Sequence, residues 1–220
     1  AIAQEVSVAL AAAQNPESYL RLIVTRGSGD LGLDPALATD PQRILIVTPL
    51  HRPSRETYAK GVKAVTARTH RATDASDAIG AKVGNYLVAV LAMRKAQAAA
   101  ANEALIVDRD GHVIEGATSN LFWVEAERLC TPPISAGVLE GITRAVVLDV
   151  AKELGIEITL DSPSVDRLFA AKEVFITSSI RQMLSVVDID GHCIADGRPG
   201  PIYWRLFEKF LAMVQSAPKE

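Results

Sequence analysis

Gly80-Ala81-Lys82-Val83-Gly84-Asn85-Tyr86-Leu87 is the stretch from which the organisation of this chain is read. Before it, residues 65–69 (Val-Thr-Ala-Arg-Thr) have the β-propensity of a strand. After it, residues 86–101 are rich in Ala, Leu, Met, Lys and Gln, which predicts a long apolar helix. Lys82 stands where the extended run gives way to the helix. Its small neighbours let a ligand come close to the backbone. A lysine held in such a wall can lose solvent and become a nucleophile toward carbonyl carbon. The same residue is also readable as an exposed lysine ahead of a helix, and the choice depends on residues far downstream.

Working outward, residues 1–13 have a helical pattern, and 19–25 and 43–48 read as strands on either side of a loop holding Gly27, Gly29 and Gly32. A basic segment leads to Arg71, and a loop over 73–81 leads to Lys82. Beyond the helix, 103–108 and 112–115 form a hairpin across Arg109-Asp110-Gly111. Strands follow at 119–125, 129–131, 156–160, 173–177 and 183–188, with helices at 144–154, 164–171 and 202–214. This is a mixed α+β and α/β pattern. It divides into an N-terminal α+β part over 1–80 and a C-terminal part over 81–220, with a further break in the proline-containing loop at 132–137.

The chain has 220 residues, 49% of them hydrophobic, and a net charge of −3, enough to bury a sizeable core. That charge does not suggest a nucleic-acid surface. No uninterrupted apolar run is long enough to span a bilayer, and residues 1–13 make a poor signal peptide. Cys130 and Cys193 are too few for a disulfide framework and neither sits in a CxxC pair. They read as thiols of a reducing, cytoplasmic setting, and no metal ligand set is assigned.

Four separated elements suggest one ligand site. Lys82 is the first. Glu115 ends a strand and meets Gly116, so its carboxylate could face a ligand lying close to the backbone. Leu139-Glu140-Gly141-Ile142-Thr143 opens a helix, whose first amides and dipole favour an anion. Thr177-Ser178-Ser179 places hydroxyls at the end of a strand. An aldehyde, a ring nitrogen and a phosphate on one molecule would use this set, and pyridoxal phosphate is that molecule. Each element also has a plainer reading. Glu115 is readable as a solvated hairpin residue, Thr143 as a helix cap, Ser178 and Ser179 as turn residues, and Tyr86 as core.

Taken together, the sequence resembles the class IV (fold-type IV) pyridoxal-phosphate enzymes, nearest to their branched-chain aminotransferase members. The resemblance rests on Tyr19-Leu20-Arg21 with Val24-Thr25-Arg26-Gly27, on Lys82-Val83-Gly84-Asn85-Tyr86-Leu87, on Glu115-Gly116-Ala117-Thr118-Ser119-Asn120-Leu121-Phe122, and on Thr131-Pro132-Pro133 followed by Gly141-Ile142-Thr143-Arg144. It implies that Lys82 is joined to the cofactor aldehyde and that Glu115 pairs the ring nitrogen. Leu139 would border the ring, with Tyr86 near its phenolic oxygen. Gly141, Ile142, Thr143, Ser178 and Ser179 would surround the phosphate. It further implies a barrel-like cofactor domain over 81–220, a homodimer, and transfer of an amino group between an amino acid and a 2-oxo acid. Arg21 and Arg181 are candidate contacts for the substrate; Arg21 is also readable as a structural strand arginine and Arg181 as an exposed one. A lyase of the aminodeoxychorismate type would share the cofactor and lysine, and a non-catalytic member would share the fold. Most of the family's N-terminal portion, which supplies an arginine to the phosphate, has no counterpart in the chain.

Overall fold

The computed structural model describes residues 2–68 and 82–216; Gly80, Ala81 and the loop expected over 73–81 lie outside the described residues. Two compact units divide at Arg52/Pro53. Within the first, α1 (Ile2–Ala13) precedes the antiparallel pair β1 (Ser18–Thr25) and β2 (Gln42–Pro49). Glu5 of α1 takes two hydrogen bonds from Arg43 of β2, at 3.0 and 2.6 Å.

The second unit starts 28 residues before the expected boundary at 81, as the difference between 81 and 53. The reason is β3 (Val62–Arg68), which pairs in parallel with two strands of the later chain. A short helix, α2 (Arg55–Lys60), leads into it where the sequence showed only a basic segment, with Ser54 as its cap. Then come α3 (Leu87–Ala98), β4 (Glu103–Val107), β5 (Val113–Gly116), β6 (Asn120–Glu125) and β7 (Arg128–Thr131). They are followed by α4 (Ile142–Glu153), β8 (Ile158–Leu160), α5 (Val165–Phe169) and β9 (Glu173–Ser178). The unit closes with β10 (Gln182–Ile189), β11 (His192–Cys193) and α6 (Pro201–Ser216). The loop at 132–137 divides nothing, because β7 before it and α4 after it belong to the same unit.

The strands form one sheet in the order β5-β4-β3-β10-β9-β6-β7-β8, with β11 beside β10. Its two ends are drawn together: Val113 N–H of β5 donates to the Pro163 carbonyl just past β8 at 2.7 Å. That gives the unit a barrel-like closure and leaves few strand edges open. Period-two alternation then sorts the side chains. Leu105, Val107, Leu121, Trp123, Val174 and Ile176 share one core. Their neighbours Phe122, Val124 and Phe175 face α4 and α6, while Ala104 and Ile106 face Ala92 and Ala96 of α3. Strands covered on both faces read as nearly continuous apolar runs, as β4 and β6 do.

Arg167 of α5 fastens this shell. Its guanidinium donates to Glu125 at 2.7 Å and to Asp161 at 2.6 Å. Those hydrogen bonds hold both carboxyls below their usual range. Because the folded values are depressed, the stabilisation is present above the ordinary values of 4.5 and 3.8 and is lost as pH falls through and below them. Both partners are partly exposed, so Arg167→Ala should cost only about 1 kcal/mol at neutral pH. The variant should also lose less stability than the parent on acidification. Thermal denaturation of both proteins at several pH values checks this; parallel losses would contradict it.

Candidate active site

The site is built on the rim where β5 turns into β6. Val107 pairs with Val113, but Ile106 pairs with Glu115, so the register slips by one residue at Ile114. A bulge of this kind puts two successive side chains against one on the partner strand and re-aims the residues beyond it. Ile114 packs with Ile106 and α3, and Glu115 stands opposite Ile106 instead of continuing the inner row begun by Val113. Glu115 is 7% exposed, so it is no solvated hairpin residue. Its Oε2 accepts a hydrogen bond from Leu139 N–H at 3.0 Å.

Leu139 is held from its other side as well. Its carbonyl accepts from Asn120 Nδ2, at the start of β6, at 2.7 Å. Two residues on, Gly141 is the N-cap of α4 and, having no side chain, leaves the helix start without a side-chain cap. Glycine is required here: a Cβ would lie 2.0 Å from Asn120 Oδ1. Thr143 is therefore buried within the first turn and is not the cap. Ile142 is 80% exposed, and no acidic residue stands in that turn to compete for its amides. Behind it, Arg144 donates to the Pro132 carbonyl at 2.9 Å and to Thr131 Oγ1 at 3.4 Å. Burial pushes the Arg144 guanidinium down from its ordinary pKa. Those bonds fasten the loop that delivers Leu139 to the rim.

At the end of β9, Thr177 pairs with Asn120 across the sheet, and Ser178 and Ser179 follow it at the strand's end. Among the described residues, the Thr177 hydroxyl is the buried side-chain polar atom without a partner. No hydrogen bond of the described residues engages the hydroxyl of Thr143 or Ser179, or the amine of Lys82. Lys82 is exposed, five positions ahead of α3. Tyr86 is exposed at the N-cap of α3 and so is not core. Arg21 lies in the other unit, half-buried on β1 opposite Ile46.

Arg181 is not the exposed arginine of the plainer reading, its side chain being 22% exposed. It turns inward, and its Nη2 meets Glu103 Oε2 at 2.6 Å and Thr118 Oγ1 at 2.6 Å. Glu103, 0% exposed, was not singled out in the sequence. A glutamate opening a strand carries no signal of its own; only the downstream Thr118, Ser119 and Arg181 make it legible.

A buried rim carboxylate, joined through one loop to an uncapped helix start, suits a ligand with a basic ring atom at one end and an anion at the other. The types of group present fit pyridoxal phosphate: amides and hydroxyls suit its phosphate, a carboxylate its ring nitrogen and an amine its aldehyde. The chain belongs to the class IV aminotransferases, whose family model matches residues 1–189. It is 39% identical over 194 residues to a putative branched-chain-amino-acid aminotransferase of Methanocaldococcus jannaschii, covering 88% of this chain and 66% of that protein. It is 35% identical over 189 residues to a D-alanine aminotransferase of Bacillus licheniformis, covering 86% of this chain and 65% of that one. The crystal structure of a branched-chain amino acid aminotransferase from Escherichia coli superposes with a TM-score of 0.80 at 30% identity, covering 89% of this chain and 64% of that one. A second branched-chain amino acid aminotransferase, crystallised in complex with N-(5'-phosphopyridoxyl)-L-glutamate, superposes with a TM-score of 0.82 at 31% identity, covering 92% of this chain and 66% of that one. The chain thus spans about two thirds of the length of these relatives.

The Gly141–Asn120 contact is testable apart from any ligand. Gly141→Ala should cost roughly 1–3 kcal/mol, the usual range for forcing an atom into a packed site. Asn120→Ala combined with Gly141→Ala should cost less than the sum of the two single changes, because the first removes the atom the second strikes. Urea unfolding of the three variants measures the coupling, and simple additivity would refute the contact.

Proposed function

We propose that this chain is the cofactor-bearing part of a pyridoxal-phosphate aminotransferase that moves an amino group between an amino acid and a 2-oxo acid. The observation that carries the reading is Glu115: a buried carboxylate, held by Leu139 N–H, two residues before the open start of α4 at Gly141. When bound, pyridoxal phosphate supplies a carbon that takes up the amino group and a ring that accepts electrons while its nitrogen stays protonated. Glu115 keeps that proton in place. Lys82 would be the residue joined to the aldehyde, and its amine would serve as the base that takes and returns the α proton. The first-turn amides of α4 with the Thr143 and Ser179 hydroxyls hold the phosphate, by donors and by dipole. Leu139 borders the ring, and Tyr86 stands near its oxygen.

The names of the relatives favour branched-chain or small amino acids as donors. A second copy of the chain is the proposed partner. Leu87, Val90 and Leu91, at helical spacing on α3, are exposed apolar residues beside the segment that carries Lys82. An apolar stripe of this kind suits a subunit interface. Among the described residues no helix is long and apolar enough to cross a membrane.

Two measurements test the reading. Borohydride reduction of the cofactor-loaded protein, followed by peptide mapping, should place the pyridoxyl group on Lys82; a label on Lys95 or Lys172 would refute that role. Mixing the loaded protein with branched-chain L-amino acids should release the matching 2-oxo acid and convert the cofactor to its aminated form, seen by absorbance. Release of pyruvate from an aminodeoxychorismate-type substrate, with no such conversion, would identify a lyase instead.

A further inference from the structure

Beneath the rim lies a cluster of polar side chains that the proposed chemistry does not use. Glu103 is fully buried at the start of β4. Its Oε1 accepts from Ala104 N–H at 2.9 Å. Its Oε2 accepts from Ser119 Oγ at 2.8 Å, Thr118 Oγ1 at 2.9 Å and Arg181 Nη2 at 2.6 Å. The turn from Gly116 to Ser119 therefore wraps one carboxylate. Its closeness explains Gly116, where a Cβ would lie 2.2 Å from Ser119 Oγ and 3.1 Å from Glu103 Cδ. Glycine here serves the packing of the turn beneath, whatever it also allows above. That turn begins one residue after Glu115.

Arg181 joins the turn to the other end of the site. It lies two residues after Ser179, and its Nε donates to Ser178 Oγ at 3.4 Å. Its own carbonyl accepts from Tyr58 Oη at 3.1 Å, and the Tyr58 ring stacks on Phe207 of α6 at 5.1 Å between centroids. The segment from Ser178 to Arg181 is thus fastened at its side chain to Glu103 and at its backbone to the aromatic core.

We infer that Glu103 and Arg181 are positioning residues that fix the span between Glu115 and the Ser178–Ser179 hydroxyls, and so between the ring and phosphate ends of one bound ligand. The inference rests on the reading of the site as a pyridoxal-phosphate site. A fully buried carboxylate is costly without a charged partner, so Glu103 depends on Arg181, whose side chain is 22% exposed. Loss of the pair loosens the tie between the Ser178–Ser179 segment and the Gly116–Ser119 turn that follows Glu115. The phosphate then contributes less to binding, while the ring end keeps Glu115 and Leu139.

The test compares pyridoxal phosphate with pyridoxal, which lacks the phosphate, by equilibrium dialysis. The dissociation constant of pyridoxal divided by that of pyridoxal phosphate isolates what the phosphate contributes. Arg181→Met leaves the Glu103 carboxylate unpaired and tests the brace at its harshest. Glu103→Gln combined with Arg181→Met removes both charges and protects the fold. In both variants the ratio should fall by roughly tenfold or more, the range in which outer partners of a binding group act. Arg181→Lys, which keeps the charge but not the fork, should recover part of it. Equal weakening of both ligands, or a lower Tm with an unchanged ratio, means that the pair only stabilises the fold and overturns the inference. A parent protein that binds pyridoxal phosphate no tighter than pyridoxal overturns the cofactor reading as well, so the two failures are told apart.

Discussion

The one-residue slip between β4 and β5 is the constraint on which the site depends. Without it Glu115 would continue the alternation of the strand and join Val113 in the inner core, where an unpaired carboxylate costs several kcal/mol. With it, Glu115 instead joins Ile114 on the face of Ile106 and reaches the Leu139 amide. The rest of the rim is set by a short path of contacts. Leu139 is clamped between Glu115 and Asn120, Asn120 forbids a side chain at Gly141, and a bare Gly141 leaves the start of α4 open. A buried rim carboxylate and an uncapped helix start are therefore two consequences of one backbone arrangement.

The cost of that arrangement is carried by polar groups buried close to it. Glu103 meets three side-chain donors and one backbone amide, the degree of satisfaction a buried carboxylate needs. Glu173 repeats the theme elsewhere: it accepts from Ile202 and Tyr203 N–H at 2.9 and 2.7 Å and so caps α6. Burial pushes the Glu173 carboxyl up, and those amides pull against it. In both cases a glutamate at the first position of a central strand ties that strand to an element far away in the chain.

Local patterns made much of this legible in the sequence. The apolar periods placed α3, α4 and α6, the hairpin at Arg109-Asp110-Gly111 is β4–β5, and the β-rich runs became strands. Residues 141–143 mark a helix start in the sequence, and α4 begins there at Ile142 without a side-chain cap. Pairing partners were not legible. The parallel pairing of β3 with β4 and β10 is long-range, and it places α2 and β3 in the second unit. The slip at Ile114 leaves no mark in a four-residue strand. The pairing of Arg181 with Glu103 was not legible because the two lie 78 positions apart.

The protonation state of the bound ring nitrogen is the most direct measure of what the slip achieves. Pyridoxal phosphate labelled with nitrogen-15 in the ring can be bound to the parent protein and to Glu115→Gln, and its chemical shift recorded at neutral pH. The expected result is a protonated nitrogen in the parent and an unprotonated one in the variant, with the ligand bound in both. The same shift in the two proteins would show that Glu115 is not its partner, and that the rim geometry serves something else.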